Sequence, residues 1–94
     1  MSSWKEDKEA GNKAYQSGDV AGAIQFYTSA LQSDDCSPAD RATILCNRAQ
    51  CYLKRSDNNS AIEDCTSCLT HSPDNVKALY RRYVCSFIVI RRIL

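Results

Sequence analysis

The sequence predicts an all-α chain built from tandem antiparallel helical hairpins, and three observations support this prediction. Residues 11–31 (GNKAYQSGDVAGAIQFYTSAL) and 49–69 (AQCYLKRSDNNSAIEDCTSCL) share one pattern, in which Ala23-Ile24 and Ala61-Ile62 lie 38 residues apart. This offset is typical of a helical-hairpin repeat with a few residues added between units. Apolar residues recur at helical spacing within each unit, and no segment has the alternation and turn chemistry of a β-hairpin.

Capping signals place the ends of the first helix. Ser3 and Glu6 have the spacing of a capping box, so the helix is predicted to begin at Ser3. It is predicted to end at Gly18, which can take the left-handed conformation. The second helix carries an apolar stripe: Ala23, Ile24, Tyr27, Ala30 and Leu31.

The second hairpin begins with a similar signal. Ser37 is predicted as the N-cap, Pro38 as the first helical residue and Asp40 as the capping-box acid. The apolar faces of its two helices are Leu45, Ala49, Tyr52 and Leu53 in the first, and Ala61, Ile62, Cys65, Cys68 and Leu69 in the second. Ser72-Pro73 is predicted to open a fifth helical segment in the same way.

Charge and cysteine content narrow the function classes. The chain has 94 residues and a formal net charge of +1, so it has no global electrostatic preference for nucleic acid or membrane. The N-terminus, MSSWKEDKEA, is too charged for a secretory signal, which predicts a cytoplasmic protein whose six cysteines are reduced. Cys36, near the loop between the repeats, is the cysteine whose thiol is predicted to be exposed.

Catalytic, metal and membrane functions have weak signals. Cys65, Cys68 and His71 have the spacing C-x-x-C-x-x-H, but both cysteines fall on the apolar stripe, which predicts core packing rather than zinc binding. His71 is the only histidine and no nucleophile–base pair is apparent, so neither an enzyme nor a cofactor is predicted. Arginine pairs flank the apolar tail, which leaves membrane-surface binding open as a minor alternative.

The repeated pattern resembles the tetratricopeptide repeat (TPR) family over residues 4 to about 82. The matching packing positions are Gly11, Tyr15, Gly18, Ala23, Tyr27 and Ala30 in the first repeat, and Ala49, Tyr52, Ala61, Cys65, Cys68 and Pro73 in the second. The resemblance implies repeats at 4–37 and 42–75, followed by residues 76–94 as the first helix of an incomplete third repeat with an atypical apolar tail. In such arrays the first helices of successive repeats line a concave groove.

One subgroup of the TPR family binds the C-terminal carboxylates of heat-shock chaperones through a two-carboxylate clamp. Five residues of this sequence match the clamp in type and in repeat position: Lys8, Asn12, Asn47, Lys77 and Arg81. The resemblance also implies auxiliary groove positions at Tyr15, Gln50 and Lys54. A peptide that ends in Asp carries two carboxylates on its last residue, and donors spaced i, i+4 on neighbouring helices would bind both.

The resemblance therefore implies a cytoplasmic co-chaperone-type adaptor that binds the EEVD-like tail of a chaperone of the Hsp90 or Hsp70 class. The segments AIEDCT and DNVKALYRR look most like the N-terminal repeats of the UCS-domain myosin-chaperone family. The alternative is a structural TPR scaffold that binds another peptide or self-associates through residues 83–94. The tail YVCSFIVIRRIL departs from the family pattern, so we expect weaker ligand binding than in a complete domain.

Overall fold

The computed structural model describes residues 3–77, 79–80 and 82–83. Its four regular helices are α1 (Trp4–Gln16), α2 (Val20–Leu31), α3 (Pro38–Lys54) and α4 (Asn58–His71). Each helix packs on the next along the chain, and the described residues contain no strand. The predicted all-α architecture of tandem helical hairpins is confirmed. None of the helices in the described part of the chain is long and apolar enough to cross a membrane.

A tight turn joins α1 to α2. Gly18 has φ +89°, and its N–H donates to the Tyr15 carbonyl while the N–H of Asp19 donates to the Ala14 carbonyl, at 3.1 and 2.8 Å. These two bonds form a Schellman motif, which satisfies carbonyls at the end of α1. The Asp19 carboxylate then caps α2 by accepting from the Gly22 N–H at 2.9 Å. The predicted left-handed cap at Gly18 is confirmed.

The turn between α3 and α4 repeats this geometry with a different residue at its centre. The N–H groups of Ser56 and Asp57 donate to the carbonyls of Leu53 and Tyr52, at 3.0 and 2.9 Å. Asp57 caps α4 by accepting from the Ser60 N–H at 3.3 Å. Ser56 is the left-handed residue, with φ +61°, a conformation that costs an L-residue energy.

The predicted N-caps of the two hairpins are confirmed. Ser3 accepts from the Glu6 N–H at 3.2 Å, and Ser37 accepts from the Asp40 N–H at the same distance. The Ser37 hydroxyl also donates to the Asp40 carboxylate at 2.7 Å. Pro38 is the first residue of α3, where its missing N–H costs nothing.

The predicted start of the fifth segment at Ser72-Pro73 is wrong. Ser72 ends α4, and its carbonyl accepts from the Asn75 N–H at 3.1 Å, so Pro73 and Asp74 form a turn. Proline is favoured at the second position of such a turn. Helical residues begin at Val76. The predicted apolar tail lies outside the described residues from position 84 onward.

Three of the core cysteines have predicted environments: the sequence predicts that Cys65 and Cys68 are buried and that the thiol of Cys36 is exposed. Cys65 and Cys68 are fully buried, which confirms their predicted packing role. Cys36 is the most exposed of the cysteines in the described part of the chain, but at 6% exposure it is still buried, so the prediction of an exposed thiol at this position is wrong. The chain after α2 turns inward there and adds Cys36 to the core cluster formed by α2 and α3. Burial and the nearby Asp40 raise the pKa of the Cys36 thiol, while Arg41 and Lys8 act in the opposite direction.

Gly11 permits a close approach between α1 and α2. A Cβ atom at this position would lie 2.6 Å from Cε1 of Tyr27, which is closer than real Cβ atoms come to a neighbour. The Tyr27 side chain is only 2% exposed and cannot move aside freely. The corresponding positions of the second hairpin hold Ala49 and Cys65, both fully buried in one cluster. A larger residue on the first helix is thus matched there by a smaller one on the second.

Arg48 connects the two hairpins. Its Nε and Nη2 atoms donate to the two carboxylate oxygens of Asp64 on α4, each at 2.7 Å. Its Nη1 donates to Thr28 of α2 at 3.0 Å. The hydrogen bond to Asp64 raises the pKa of Arg48, against the opposite effect of burial. One side chain of α3 therefore holds the neighbouring helices on both sides.

The paired turns generate a stability prediction. Ser56→Gly should raise the free energy of unfolding by roughly 0.5–1 kcal/mol, because glycine takes a left-handed conformation without a steric penalty. The matched change in the first hairpin, Gly18→Ser, should lower it by about 1 kcal/mol. Urea denaturation followed by circular dichroism measures both. Changes of the same sign in the two variants would contradict this account of the turns.

The packing of Gly11 generates a second prediction, in which one substitution changes sign with its background. Gly11→Ala should destabilise the chain by about 1–3 kcal/mol while Tyr27 is present, because the added methyl group collides with the ring. In a Tyr27→Cys background, which copies the Ala49–Cys65 pair, the same change should stabilise by up to about 1 kcal/mol through helix propensity. Chemical denaturation of the four chains tests this. Equal effects in both backgrounds would disprove the steric explanation.

Candidate functional site

A pocket of about 230 Å³ opens between α1, α2 and α3. Its lining residues are Asn12, Tyr15 and Gln16 from α1, Tyr27 from α2, and Asn47 and Gln50 from α3. The first helices of the two hairpins thus supply all but one of these side chains. The described part of the lining combines four side-chain amides with two tyrosines and carries no formal charge, so these side chains offer hydrogen bonds rather than ion pairs.

The pocket brings together four of the residues that the family resemblance predicts as site residues. Asn12 and Tyr15 are three positions apart on α1, and Asn47 and Gln50 are three apart on α3. Residues at this spacing lie on the same face of a helix. Because α1 and α3 both border the pocket, the two pairs meet across it.

The two asparagines contact each other at the centre of this arrangement. Asn47 Nδ2 lies 3.5 Å from Asn12 Oδ1, at the long limit of a hydrogen bond. The Tyr27 hydroxyl donates to the same Asn12 oxygen at 2.5 Å. Two donors therefore converge on Oδ1 of Asn12, and neither contact uses its Nδ2 group.

The predicted cationic positions are located elsewhere. Lys8 precedes Asn12 by about one turn of α1 and is half-buried. Lys54 is exposed at the last residue of α3, and Lys77 is exposed in the helical residues after α4. None of these three lysines is among the residues that line the pocket. The predicted fifth clamp residue, Arg81, lies outside the described residues.

Sequence reasoning missed the polar role of Tyr27 and the contribution of Gln16. Tyr27 lies on the apolar stripe of α2, and its ring is indeed buried, but its hydroxyl reaches the pocket. Burial raises the pKa of Tyr27 to about 12, with smaller contributions from Cys51 and Tyr15, so the hydroxyl keeps its proton at neutral pH. The available signal was the residue type, because a buried tyrosine usually finds a partner for its O–H.

A second cavity lies between α2, α3 and α4, but its arginines are already engaged. It measures about 360 Å³, and Arg41, Arg48 and His71 are the basic residues in its lining. Arg48 is occupied by Asp64 and Thr28, and Arg41 donates to the Ser33 carbonyl at 2.9 Å. Within the described ranges, no three His, Cys, Asp or Glu side chains come together as metal ligands would.

Comparisons with known proteins identify the family. No protein-family model matches the chain. Over 78 residues it is 38% identical to protein unc-45 homolog B of Danio rerio, an alignment that covers 80% of this chain and 8% of that protein. The chain therefore spans less than a tenth of the length of this relative.

Two solved structures are similar over nearly the whole chain. The second TPR of Spaghetti (RPAP3), bound to the HSP90 peptide SRMEEVD, has a TM-score of 0.84 and 27% identity, and the match covers 94% of this chain and 78% of that one. The TPR domain of Arabidopsis OM64 has a TM-score of 0.85 and 32% identity, and the match covers 95% of this chain and 70% of that one. On this identity and coverage, the chain belongs to the TPR family.

Proposed function

We propose that this chain is a co-chaperone-type adaptor that binds the acidic, EEVD-like C-terminal tail of a heat-shock chaperone. The observation that carries the proposal is the amide-lined pocket, in which Asn12 of one hairpin meets Asn47 of the next. Support also comes from the structurally similar second TPR of Spaghetti, which is bound to the HSP90 peptide SRMEEVD.

The chemistry of the pocket suits a carboxylate. Asn12 and Asn47 donate hydrogen bonds without adding charge, so they bring donors together with no repulsion between cations. Lys8, Lys77 and Arg81 are proposed to supply the positive charge around them. Each hydrogen bond to a charged group contributes roughly 1.5–3 kcal/mol. After the cost of ordering a short peptide, we expect micromolar affinity.

The auxiliary positions have separate proposed roles. Tyr15 and Gln50 line the pocket and are proposed to contact the peptide beside its terminal residue. Lys54 is exposed at the end of α3, where it is proposed to attract the acidic residues that precede the terminus. The repeats are proposed to span 4–37 and 42–75, with residues 76–94 as the first helix of an incomplete third repeat.

The finer assignments remain predictions. Similarity to unc-45 homolog B agrees with the predicted UCS-domain myosin-chaperone type, but the OM64 and Spaghetti domains are also closely similar in structure. The proposal includes tails of both the Hsp90 and the Hsp70 class. We propose a cytoplasmic location, which places the chain in the same compartment as these chaperones.

The proposed function predicts that binding depends on the terminal carboxylate. The peptide SRMEEVD should bind as the free acid, and its C-terminal amide should bind at least tenfold more weakly, because amidation removes one of the two charged acceptors. Isothermal titration calorimetry with both peptides measures this. Equal affinity for the two forms would rule out the clamp.

Variants of two lysines on α1 make the same experiment specific to the site. Lys8→Ala should weaken binding of the free acid by roughly tenfold to a hundredfold, the loss expected for one charge-assisted hydrogen bond. Lys13→Ala is the matched control, because Lys13 is an exposed lysine of the same helix that borders a different surface. Lys77→Ala should behave like Lys8→Ala. A Lys13→Ala loss as large as the Lys8→Ala loss would indicate only nonspecific charge attraction.

A second candidate function rests on exposed apolar residues after α4. Val76, Tyr80 and Tyr83 are 75%, 67% and 70% exposed, and Leu79 is 42% exposed. Their spacing of i, i+3, i+4 and i+7 places them on one helical face, as in helices that pack against a partner. This arrangement favours the alternative of a TPR scaffold that associates with itself through this end.

Self-association predicts a concentration-dependent mass. Sedimentation velocity of the full chain over a hundredfold concentration range should show dimers, and Val76→Glu with Tyr80→Glu should return the chain to a monomer. Helix content of the double variant, measured by circular dichroism, serves as the folding control. A monomeric wild-type chain at every concentration would exclude this function.

A further inference from the structure

The Tyr27 hydroxyl is a polar group on a buried side chain, and the peptide-clamp proposal gives it no role. Its side chain is 2% exposed, and the ring packs against Gly11 on the adjacent helix. The hydroxyl nevertheless reaches the oxygen of Asn12, which also receives the longer contact from Asn47 Nδ2. Asn12 is thus held from two sides through one of its two polar atoms.

An asparagine side chain presents opposite chemistry at its two ends. The oxygen only accepts hydrogen bonds and the nitrogen only donates them, so a half-turn of the amide converts a donor into an acceptor. A phenol hydroxyl donates more readily than it accepts, because its oxygen lone pairs are delocalised into the ring. A donor facing Asn12 therefore favours the orientation in which Oδ1 meets Tyr27 and Nδ2 stays available to a ligand.

We infer that Tyr27 is a positioning residue that fixes the amide of Asn12 as a hydrogen-bond donor and thereby makes the pocket select carboxylates over amides. The inference rests on the proposed peptide-binding function and specifies how the ligand class is chosen. Tyr27 need not touch the ligand for this effect. It acts through the orientation of Asn12, and Asn47 reinforces it from α3.

Two features keep this arrangement in place. Gly11 lets the ring of Tyr27 lie close against α1, so the hydroxyl reaches the very next residue of that helix. The hydroxyl is protonated at neutral pH and can donate, and burial raises the pKa of Tyr27 further, to about 12. The second hairpin has Gln50 and Cys65 at the corresponding positions, so this hydroxyl–amide pair belongs to the first hairpin alone.

Tyr27→Phe tests the inference because it removes one oxygen and keeps the ring that packs on Gly11. Calorimetry with SRMEEVD as free acid and as C-terminal amide gives the acid-to-amide affinity ratio. We expect the ratio to fall at least fivefold, with a weaker free acid and an unchanged or stronger amide. A purely structural defect would weaken both peptides together and leave the ratio unchanged. Tyr52→Phe is the matched control, because Tyr52 is a half-buried tyrosine that does not line the pocket.

A measurement without peptide tests the contact itself. The unfolding midpoints of Tyr27→Phe, Asn12→Ala and the double variant should be non-additive, because the two side chains interact in the free chain. Additive midpoints would overturn the inference, as would a wild-type acid-to-amide ratio in Tyr27→Phe. If the wild-type chain binds neither peptide, the proposed function fails and the inference fails with it. If the wild-type chain prefers the acid and Tyr27→Phe keeps that preference, only the inference fails.

Discussion

The close packing of Tyr27 against Gly11 is the constraint on which the first hairpin and its pocket depend. With no Cβ at position 11, the ring lies where a methyl group would be 2.6 Å from Cε1, so α1 and α2 pack closely at this point. Because the ring lies so close to α1, the Tyr27 hydroxyl reaches Asn12, the residue that follows Gly11. A single steric condition thus determines both the packing of the helices and the orientation of a candidate ligand-binding group.

The second hairpin meets the same packing requirement without a hydroxyl group at either of the two positions. Ala49 and Cys65 stand where the first hairpin has glycine and tyrosine. The residue on the first helix is therefore larger than its counterpart, and the residue on the second helix is smaller. Cysteine fills such a site as a small apolar residue. The two repeats therefore share a backbone plan, including equivalent turns and caps, but only the first connects its interior to the pocket through a hydroxyl.

Arg48 links the two hairpins at the residue that follows Asn47, whose amide contacts Asn12. The paired contacts to Asp64 have the bidentate geometry that makes arginine–carboxylate pairs directional as well as strong. Asn47 precedes Arg48 on α3, and consecutive helical residues point about 100° apart. Asn47 therefore points into the pocket, while Arg48 points towards α2 and α4. Asp64 holds the guanidinium within the second hairpin, and the bond from Nη1 to Thr28 then links this hairpin to α2 of the first.

Local signals allowed most of the fold to be predicted from the sequence. The caps at Ser3 and Ser37, the left-handed Gly18 and the spacing of the apolar stripes each act within a few residues, so they can be read without knowledge of the tertiary structure. The errors arose where tertiary contacts decide. Cys36 follows a helix and looks like a loop residue, but the chain around it folds into the core. At Ser72-Pro73 the same two residue types that open α3 instead form a turn.

The candidate site shows the same boundary between local and tertiary information. Family resemblance could select Asn12 and Asn47 one at a time, but their contact depends on how α1 and α3 pack. Tyr27 was assigned to the core because its position on α2 indicates only that the ring is buried. The hydrogen-bond partner of its hydroxyl is Asn12, which follows Gly11 on another helix, α1. A pattern within one helix contains no information about that neighbour.

The distribution of charge in the groove follows from the cost of desolvation. A buried cation without a partner is expensive, whereas a buried amide needs only a hydrogen bond, so neutral donors are the better choice for the enclosed part of a carboxylate site. The described residues follow this rule: the asparagines line the pocket, Lys8 is half-buried beside them, and Lys54 and Lys77 are exposed. Under the proposed function, the exposed lysines attract the acidic peptide over distances up to about the Debye length. The amides then discriminate at contact, and the inferred orientation of Asn12 selects the ligand.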